Sequence, residues 1–209
     1  MIPKIIWQTH NYMYQELPHS LKKCSETWIN LNPGWEYRYV DHVEREKFVK
    51  ENDLELYNIY KTLKPIAQSD IWRILTIYKY GGVYADMDSV CIKSLDTCLK
   101  DKQEYNIVTT EYDNKSGYLN TAHFAAIKEC SILFEAIKKI KNTRILDPEW
   151  HCWIMFRNAI LVGSNVSHGF DATIHSKDYN QVFPHDLEVL YLEEKIRYNM
   201  LLERLSGQT

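Results

Sequence analysis

Hydrophobic and polar positions along the first forty residues change from strand-like to helix-like spacing and back. The stretch KIIWQ at residues 4–8 is rich in residues that favour β-strands and predicts a buried first strand. Aromatic and charged side chains alternate at 35–39, which predicts a second strand, because strand side chains point to opposite faces in turn. Between them, apolar residues at 21–31 recur at helical spacing behind a possible Ser20 cap. The run Asn-Pro-Gly at 32–34 predicts the end of that helix.

The next segment is predominantly helical. Asp41 followed by Glu44 has the pattern of a capping box, which predicts a helix running to about residue 50, and a second helical stretch covers 54–63. A strongly apolar helix begins at Pro65, and the pair Gly81–Gly82 ends it, because glycine adopts a left-handed backbone at little cost.

The remaining pattern completes an alternation of strands and helices. Residues 83–92 are predicted to be extended, interrupted by two aspartates, and the later predicted elements are strands at 105–110, 181–183 and 188–192 and helices at 131–141, 147–163 and 193–205. This alternation predicts an α/β fold, with helices flanking a mostly parallel central sheet. In such sheets ligands bind beyond the carboxyl ends of the strands. The length of 209 residues, without repeats or linkers, predicts a single domain over 1–209.

Composition excludes several partners and locations. With 25 basic and 28 acidic side chains, the chain has no positive field that would attract nucleic acid or an anionic membrane. No apolar run approaches the ~18 residues of a transmembrane segment, and the apolar run within the first eight residues is too short for a signal peptide. A cytoplasmic location is therefore expected. The five scattered cysteines favour reduced core thiols over a disulfide framework or a zinc site.

Two aspartates follow the strand predicted at residue 83. Asp86 and Asp88 stand at i and i+2, and an extended backbone would point both carboxylates to one side. Such a pair attracts a hard divalent cation, Mn²⁺ or Mg²⁺, which proteins hold with one or two carboxylates plus substrate phosphates. By itself this spacing is also common among solvated surface aspartates.

The preceding helix carries a polar edge formed by Ser69, Asp70 and Arg73. Asp70 and Arg73 stand at i and i+3, so they can pair on one face of the helix. A surface salt bridge is the simpler interpretation. The rest of the helix is apolar, however, which favours a buried helix whose charged edge faces a cleft, where sugar hydroxyls or diphosphate oxygens would be bound.

At this point the sequence resembles a known family. Residues 65–73 (PIAQSDIWR) and 80–88 (YGGVYADMD), with the opening 2–9 (IPKIIWQT), resemble the DXD-containing sugar transferases that include initiating α-1,6-mannosyltransferases and bacterial glucosylating toxins. The similarity covers residues 2 to about 92 and then thins to 120–124 (NTAHF).

The resemblance implies a GT-A-like, Rossmann-like fold and a retaining glycosyltransferase. Its donor would be a UDP- or GDP-linked hexose, its acceptor a glycan or other hydroxyl compound, and its cofactor a divalent cation, often manganese. Asp88 would bind the metal directly, and Asp86 would reach it through water and also contact the ribose or sugar. Asp70 and Arg73 would hold the transferred sugar. The other implied donor contacts are Trp7 at the base, Ser69, Tyr84 and Asn120.

The chain departs from this family in one respect. Members commonly have a late histidine followed by a Ser-Trp element that completes the metal and phosphate site, and this sequence lacks that pairing. His168, His175 and His185 are the candidates for a third metal ligand, although a lone histidine is more often a hydrogen-bonded structural residue. Trp150 and Trp153 share one predicted helical edge and either pack on the sheet or line an acceptor groove.

Two other functions fit part of the sequence. Residues 83–90 (VYADMDSV) also resemble the nucleophile motif of haloacid-dehalogenase-type phosphohydrolases, in which Asp86 would attack phosphorus. That family has the motif near the start of its domain and a second acidic motif downstream, neither of which is found here. A catalytically inactive relative that only binds carbohydrate or nucleotide sugar is the second alternative.

Overall fold

The computed structural model describes residues 1–102, 105–111, 119–142, 166–168 and 173–174. The strands of its central sheet are β1 (Ile5–Thr9), β2 (Glu36–Val40), β3 (Gly82–Ala85), β5 (Ile107–Glu111), β6 (Leu119–Ala126) and β7 (Val166–His168). They are arranged in the order β2-β1-β3-β6-β5-β7. A separate two-stranded sheet pairs β4 (Val90–Cys91) with β8 (Thr173–Ile174).

Six helices accompany these strands in the described part of the chain: α1 (His19–Leu31), α2 (His42–Asn52), α3 (Leu54–Tyr60), α4 (Pro65–Tyr80), α5 (Leu95–Cys98) and α6 (Ser131–Asn142). Short 3₁₀ turns lie at Tyr14–Glu16 and Lys100–Lys102. Within the described ranges, no helix has the length and apolarity needed to cross a membrane.

The central sheet is mixed. Strand β1 is parallel to both β2 and β3, and β5 is parallel to β7, whereas β6 is antiparallel to β3 and β5. The α/β prediction is therefore confirmed, with three of the five neighbouring pairs parallel. Because β1, β2 and β3 run in the same direction, their carboxyl ends meet at one edge of the sheet.

The two faces of the sheet bury separate cores. Strand β3 shows the division: Val83 and Ala85 belong to the cluster that contains Trp28 of α1, and Tyr84 belongs to the cluster that contains Trp72 of α4. This alternation follows from the two-residue period of a strand. A residue that continues β3 on the Tyr84 side therefore faces α4.

The junction between α4 and β3 requires glycine. Gly82 has φ +105°, and a Cβ added there would lie 2.5 Å from the carbonyl oxygen of Ile5 on β1. Gly81, at φ +68°, ends the helix as the pattern predicts. The two glycines thus let β3 start directly beside β1.

Several local predictions can be compared with the structure. The capping box at Asp41 is confirmed, since its Oδ1 accepts from the backbone N–H groups of Val43 and Glu44 at 2.9 and 3.0 Å. Ser20, in contrast, does not cap α1, because the helix already begins at His19 and Ser20 lies inside it. The extended stretch expected at 83–92 is broken by a turn at 86–89.

Strand β6 was not predicted, and the elements expected at 147–163, 181–183, 188–192 and 193–205 lie outside the described residues.

Candidate active site

Strand β3 leaves the sheet at a tight turn that carries both aspartates. The Asp86 N–H donates to the carbonyl of Ala122 on β6 at 2.7 Å, which continues the strand pairing by one residue. The chain then turns, since the N–H of Ser89 donates back to the Asp86 carbonyl at 3.1 Å. Asp86 therefore ends the strand, and Asp88 lies within the turn. The i and i+2 spacing acts here through a turn rather than through the extended backbone that the sequence predicted.

Asp86 takes part in a network of buried charges with helix α4. Arg73 bridges two carboxylates, with Nη2 2.8 Å from Oδ1 of Asp70 and Nη1 3.3 Å from Oδ1 of Asp86. The exposed fractions of these side chains are 7% for Arg73, 14% for Asp70 and 29% for Asp86. The predicted pairing of Asp70 with Arg73 is thus confirmed, and it occurs inside the protein rather than on the surface.

Tyr84 completes this network from the strand. Its hydroxyl donates to Oδ1 of Asp86 at 2.5 Å, and the Arg73 guanidinium lies 4.5 Å from the centre of its ring. Burial raises the pKa of Tyr84 well above its ordinary value, Arg73 lowers it in part, and Asp86 raises it further. The phenol therefore remains a hydrogen-bond donor at neutral pH and holds the Asp86 carboxylate in one orientation.

Gln8 was missed by the sequence reasoning. Its side chain is fully buried at the carboxyl end of β1, where Nε2 donates to the Asp86 carbonyl at 3.0 Å and Oε1 accepts from the Tyr37 hydroxyl at 2.9 Å. A buried amide needs such partners, and here they tie β1 and β2 to the acidic turn. The feature of the sequence that could have singled out Gln8 is a lone amide side chain in a strand predicted to be buried.

Trp7 lies away from the acidic turn. Its buried ring donates from Nε1 to the Gly81 carbonyl at 3.0 Å and stacks on Tyr80 at 5.6 Å, near the start of β3 rather than its end. Its contacts are those of a core residue. That Trp7 flanks or stacks on the donor base stays a prediction.

The other predicted residues are less informative. Ser69 precedes Asp70 on α4, and its hydroxyl donates to the Ile66 carbonyl at 2.6 Å. Only the backbone is described for Asn120 in β6 and His168 in β7. His175, His185, Trp150 and Trp153 lie outside the described residues.

An aromatic wall borders the same turn. Met87, between the two aspartates, is buried against Leu17 and Leu21 and belongs to a cluster joined by partly buried tyrosines, namely Tyr12, Tyr14 and Tyr39. Tyr14 and Tyr39 meet edge to face with ring centres 5.1 Å apart. Tyrosines of this kind offer apolar ring faces together with polar hydroxyls, a combination suited to sugars and nucleotides.

The residues present fit a divalent cation in part. Carboxylate oxygens such as those of Asp86 and Asp88 are the ligands that Mg²⁺ and Mn²⁺ prefer. In the described part of the chain, no group of three or more His, Cys, Asp or Glu side chains is close enough together to form a complete metal site. Any further ligands would be substrate phosphates, water or residues outside the described ranges.

Part of the chain that includes this edge of the sheet matches a known protein family. Residues 18–106 match the family described as glycosyltransferase sugar-binding region containing DXD motif. The predicted resemblance to the DXD-containing transferases is thereby confirmed.

Curated relatives show the same similarity over part of their length. An uncharacterised glycosyltransferase of Acanthamoeba polyphaga mimivirus is 37% identical over 99 residues, which cover 46% of this chain and 39% of that protein. A mannosyl phosphorylinositol ceramide synthase of Saccharomyces cerevisiae is 34% identical over 47% of this chain and 26% of its own. The initiation-specific α-1,6-mannosyltransferase of Candida albicans is 27% identical over 55% and 30%, respectively. The matches thus span well under half the length of these relatives.

A solved structure extends the similarity of fold to most of the chain. The PaToxG glycosyltransferase superposes with a TM-score of 0.62 at 14% identity and covers 93% of this chain and 75% of that one. The GT-A-type fold that the sequence predicts is confirmed by this likeness.

Proposed function

We propose that this protein is a metal-dependent glycosyltransferase that transfers a hexose from a UDP- or GDP-linked donor to a hydroxyl group of a glycan or other acceptor. The observation that carries the proposal is the buried bridge from Asp70 through Arg73 to Asp86, next to a DXD turn at the carboxyl edge of the sheet. That edge is the ligand-binding edge of α/β sheets. The match to the DXD family over residues 18–106 supports the same interpretation.

The charges present suit the departure of a nucleoside diphosphate. Breaking the bond at the anomeric carbon places negative charge on the diphosphate, and a divalent cation at Asp86 and Asp88 would neutralise that charge when bound. Arg73 adds a fixed positive charge, which is already oriented by two carboxylates and one aromatic ring. The Asp70 carboxylate can accept hydrogen bonds from sugar hydroxyls.

Tyr84 and Gln8 act on the geometry of Asp86. The phenol holds the carboxylate and the amide holds the carbonyl of the same residue, so the turn is fixed from two neighbouring strands. Such pre-organisation lowers the cost of ordering a metal ligand at the moment of binding. Retention of anomeric configuration is part of the proposal and rests on the family resemblance. The cytoplasmic location and the single catalytic domain are also part of the proposal, and they rest on the sequence.

A thermal-shift panel of UDP- and GDP-sugars, with and without Mn²⁺, tests the donor. A true donor present at 100 times its dissociation constant stabilises the folded state by about 2.7 kcal/mol. Each nucleotide sugar that raises the melting temperature is then assayed as a donor for hydrolysis and transfer. Stabilisation without turnover would support the inactive relative, and turnover of p-nitrophenyl phosphate would support the phosphohydrolase.

The Asp88→Asn variant tests the metal assignment. It removes a ligand charge and should leave the fold intact, so we expect it to lose Mn²⁺-dependent stabilisation and transfer. The matched control is Asp101→Asn, which removes an exposed carboxylate from the turn Lys100–Lys102. Unchanged kinetics in Asp88→Asn would contradict the assignment.

A further inference from the structure

Arg45 is a buried cation outside the network just described. This residue of α2 is 1% exposed, and its two terminal nitrogens donate to neutral oxygens, Nη1 to Oγ1 of Thr9 at 3.2 Å and Nη2 to Oδ1 of Asn11 at 2.5 Å. Its Nε is buried without a hydrogen-bond partner. Among the described residues, no carboxylate forms an ion pair with it.

The groups that contact Arg45 carry no negative charge. Burial raises the pKa of Tyr60, whose hydroxyl interacts with the guanidinium, and burial also raises that of Tyr39, so both phenols are neutral at physiological pH. The carboxylates nearby on the chain have other hydrogen-bond partners: Asp41 caps α2, Glu44 accepts from the Asp41 N–H, and Glu46 accepts from an exposed tyrosine hydroxyl. A buried charge that no carboxylate contacts is unfavourable, which makes its position informative.

That position is the ligand-binding edge of the sheet. In the parallel pairing of β1 with β3, Trp7 lies opposite Tyr84. Thr9 is two residues further along β1, where the same register would bring its backbone level with Asp86. The Thr9 hydroxyl that Arg45 contacts donates to the Val40 carbonyl of β2, so Arg45 lies at this edge of the sheet beside the exits of β1 and β2. Asn11 begins the loop that leads to the aromatic wall beside the acidic turn.

The charge balance at this edge explains why a further cation would be useful. Arg73 is shared between Asp70 and Asp86, and the divalent cation proposed at the acidic turn would be held by carboxylates. A nucleoside diphosphate is itself an anion, so a positive charge that no carboxylate contacts would add to its attraction.

We propose that Arg45 is a positioning residue for the anionic donor: it fixes Thr9 and Asn11 at the exit of β1, and its charge, which no carboxylate contacts, favours a nucleoside diphosphate there. This inference rests on the proposed function. The competing explanation is that Arg45 only ties α2 to β1 as a hydrogen-bonding linker. The positive charge of residue 45 is required for donor binding in the first explanation and not in the second.

The first experiment compares Arg45→Lys, which keeps the charge, with Arg45→Met, which removes it. Binding of UDP and GDP with Mn²⁺ is measured by calorimetry, alongside KM and kcat for the donor. We expect Arg45→Met to weaken binding and raise KM about tenfold, as for two unit charges roughly 10 Å apart at an effective dielectric constant of about 20. kcat should stay within about threefold, and Arg45→Lys should restore most of the affinity. Lys47→Met, an exposed cation on the same helix, is the matched control.

The second experiment keeps Arg45 and compensates its charge. Asn11→Asp places a carboxylate on the contact that Nη2 already makes, so we expect a higher melting temperature together with weaker nucleoside diphosphate binding. This variant tests the inference even where Arg45→Met does not fold.

The outcomes separate the two proposals. Asn11→Asp protein that binds UDP and GDP as tightly as the wild type, or Lys and Met variants that are equally weak, would overturn the positioning role and leave the transferase proposal intact. Wild-type protein that binds neither nucleotide would overturn both.

Discussion

Replacing Arg73 by methionine tests the charge network on which the proposed function depends. Methionine keeps most of the buried volume and removes the guanidinium, which lies 2.8 Å from Asp70 and 3.3 Å from Asp86 and packs over Tyr84. The substitution leaves two partly buried carboxylates without their shared counter-charge.

The magnitude follows from the exposure of each partner. A hydrogen bond to a charged group contributes about 1.5–3 kcal/mol, and the contact with Asp70, which is 14% exposed, should fall within that range. The contact with Asp86 is longer and 29% exposed, so it is discounted to about 1 kcal/mol for solvent screening. We expect Arg73→Met to lower the free energy of unfolding by about 3 kcal/mol at pH 7.

A double-mutant cycle with Asp70→Asn measures the pairwise part of this loss. Urea unfolding of the four proteins, followed by circular dichroism, should give a coupling energy of about 2 kcal/mol. The matched control is the pair Glu135 and Lys138 on α6, which has the same i and i+3 spacing and a 2.9 Å contact but is exposed on both sides. Its coupling should be about 0.3–0.5 kcal/mol. Equal coupling in the two cycles would refute the view that the Arg73 network is buried and pre-organised.

Two further predictions concern Tyr84 and the glycine junction. Burial raises the pKa of Tyr84 in the folded state, so its contribution to stability is fully present below the unfolded pKa of about 10 and is lost as pH rises above it. In urea unfolding between about pH 10 and 11.5, the free energy of unfolding of Tyr84→Phe should therefore fall less steeply with pH than that of the wild type, by up to about 1.4 kcal/mol per pH unit. Equal slopes for the two proteins would contradict this. Gly82→Ala should cost at least about 2 kcal/mol, because its Cβ would meet the Ile5 carbonyl at 2.5 Å. Gly34→Ala, which meets nothing within 4 Å, should change stability by less than about 0.5 kcal/mol, and a similar loss in both variants would show that the close approach to β1 is not required.

The bounds of α4 were predictable because the signals are local. Proline fixes the first residue of the helix and Gly81 the last, and the polar edge with Asp70 and Arg73 follows from helical spacing. The capping box at Asp41 was predictable for the same reason. Each of these features depends on residues within four positions of one another.

Features that depend on distant residues were not predictable from one sequence. The contact from Gln8 to Asp86 joins positions 78 residues apart, and the bridge from Arg73 to Asp86 requires α4 to pack on β3. Strand β6 escaped prediction because its sequence lacks strand alternation, although its pairing with β3 supplies the hydrogen bond that positions Asp86. Strand periodicity assigns Trp7 to a face of the sheet but does not say toward which end of β1 its ring extends.

The charges that make the site suitable for a donor also affect how a metal ion can bind there. Asp70 and Asp86 share one guanidinium, so the folded chain satisfies both carboxylates before any ligand arrives. A cation that approaches Asp86 and Asp88 would compete with Arg73 for one oxygen, Oδ1 of Asp86, which the Tyr84 hydroxyl also occupies. Direct coordination through that oxygen would therefore forfeit existing contacts of Asp86, whereas a bridging water at Asp86 would preserve them. The contacts of Oδ1 thus favour an indirect contact of Asp86 with the metal, which is the arrangement that the family resemblance implies.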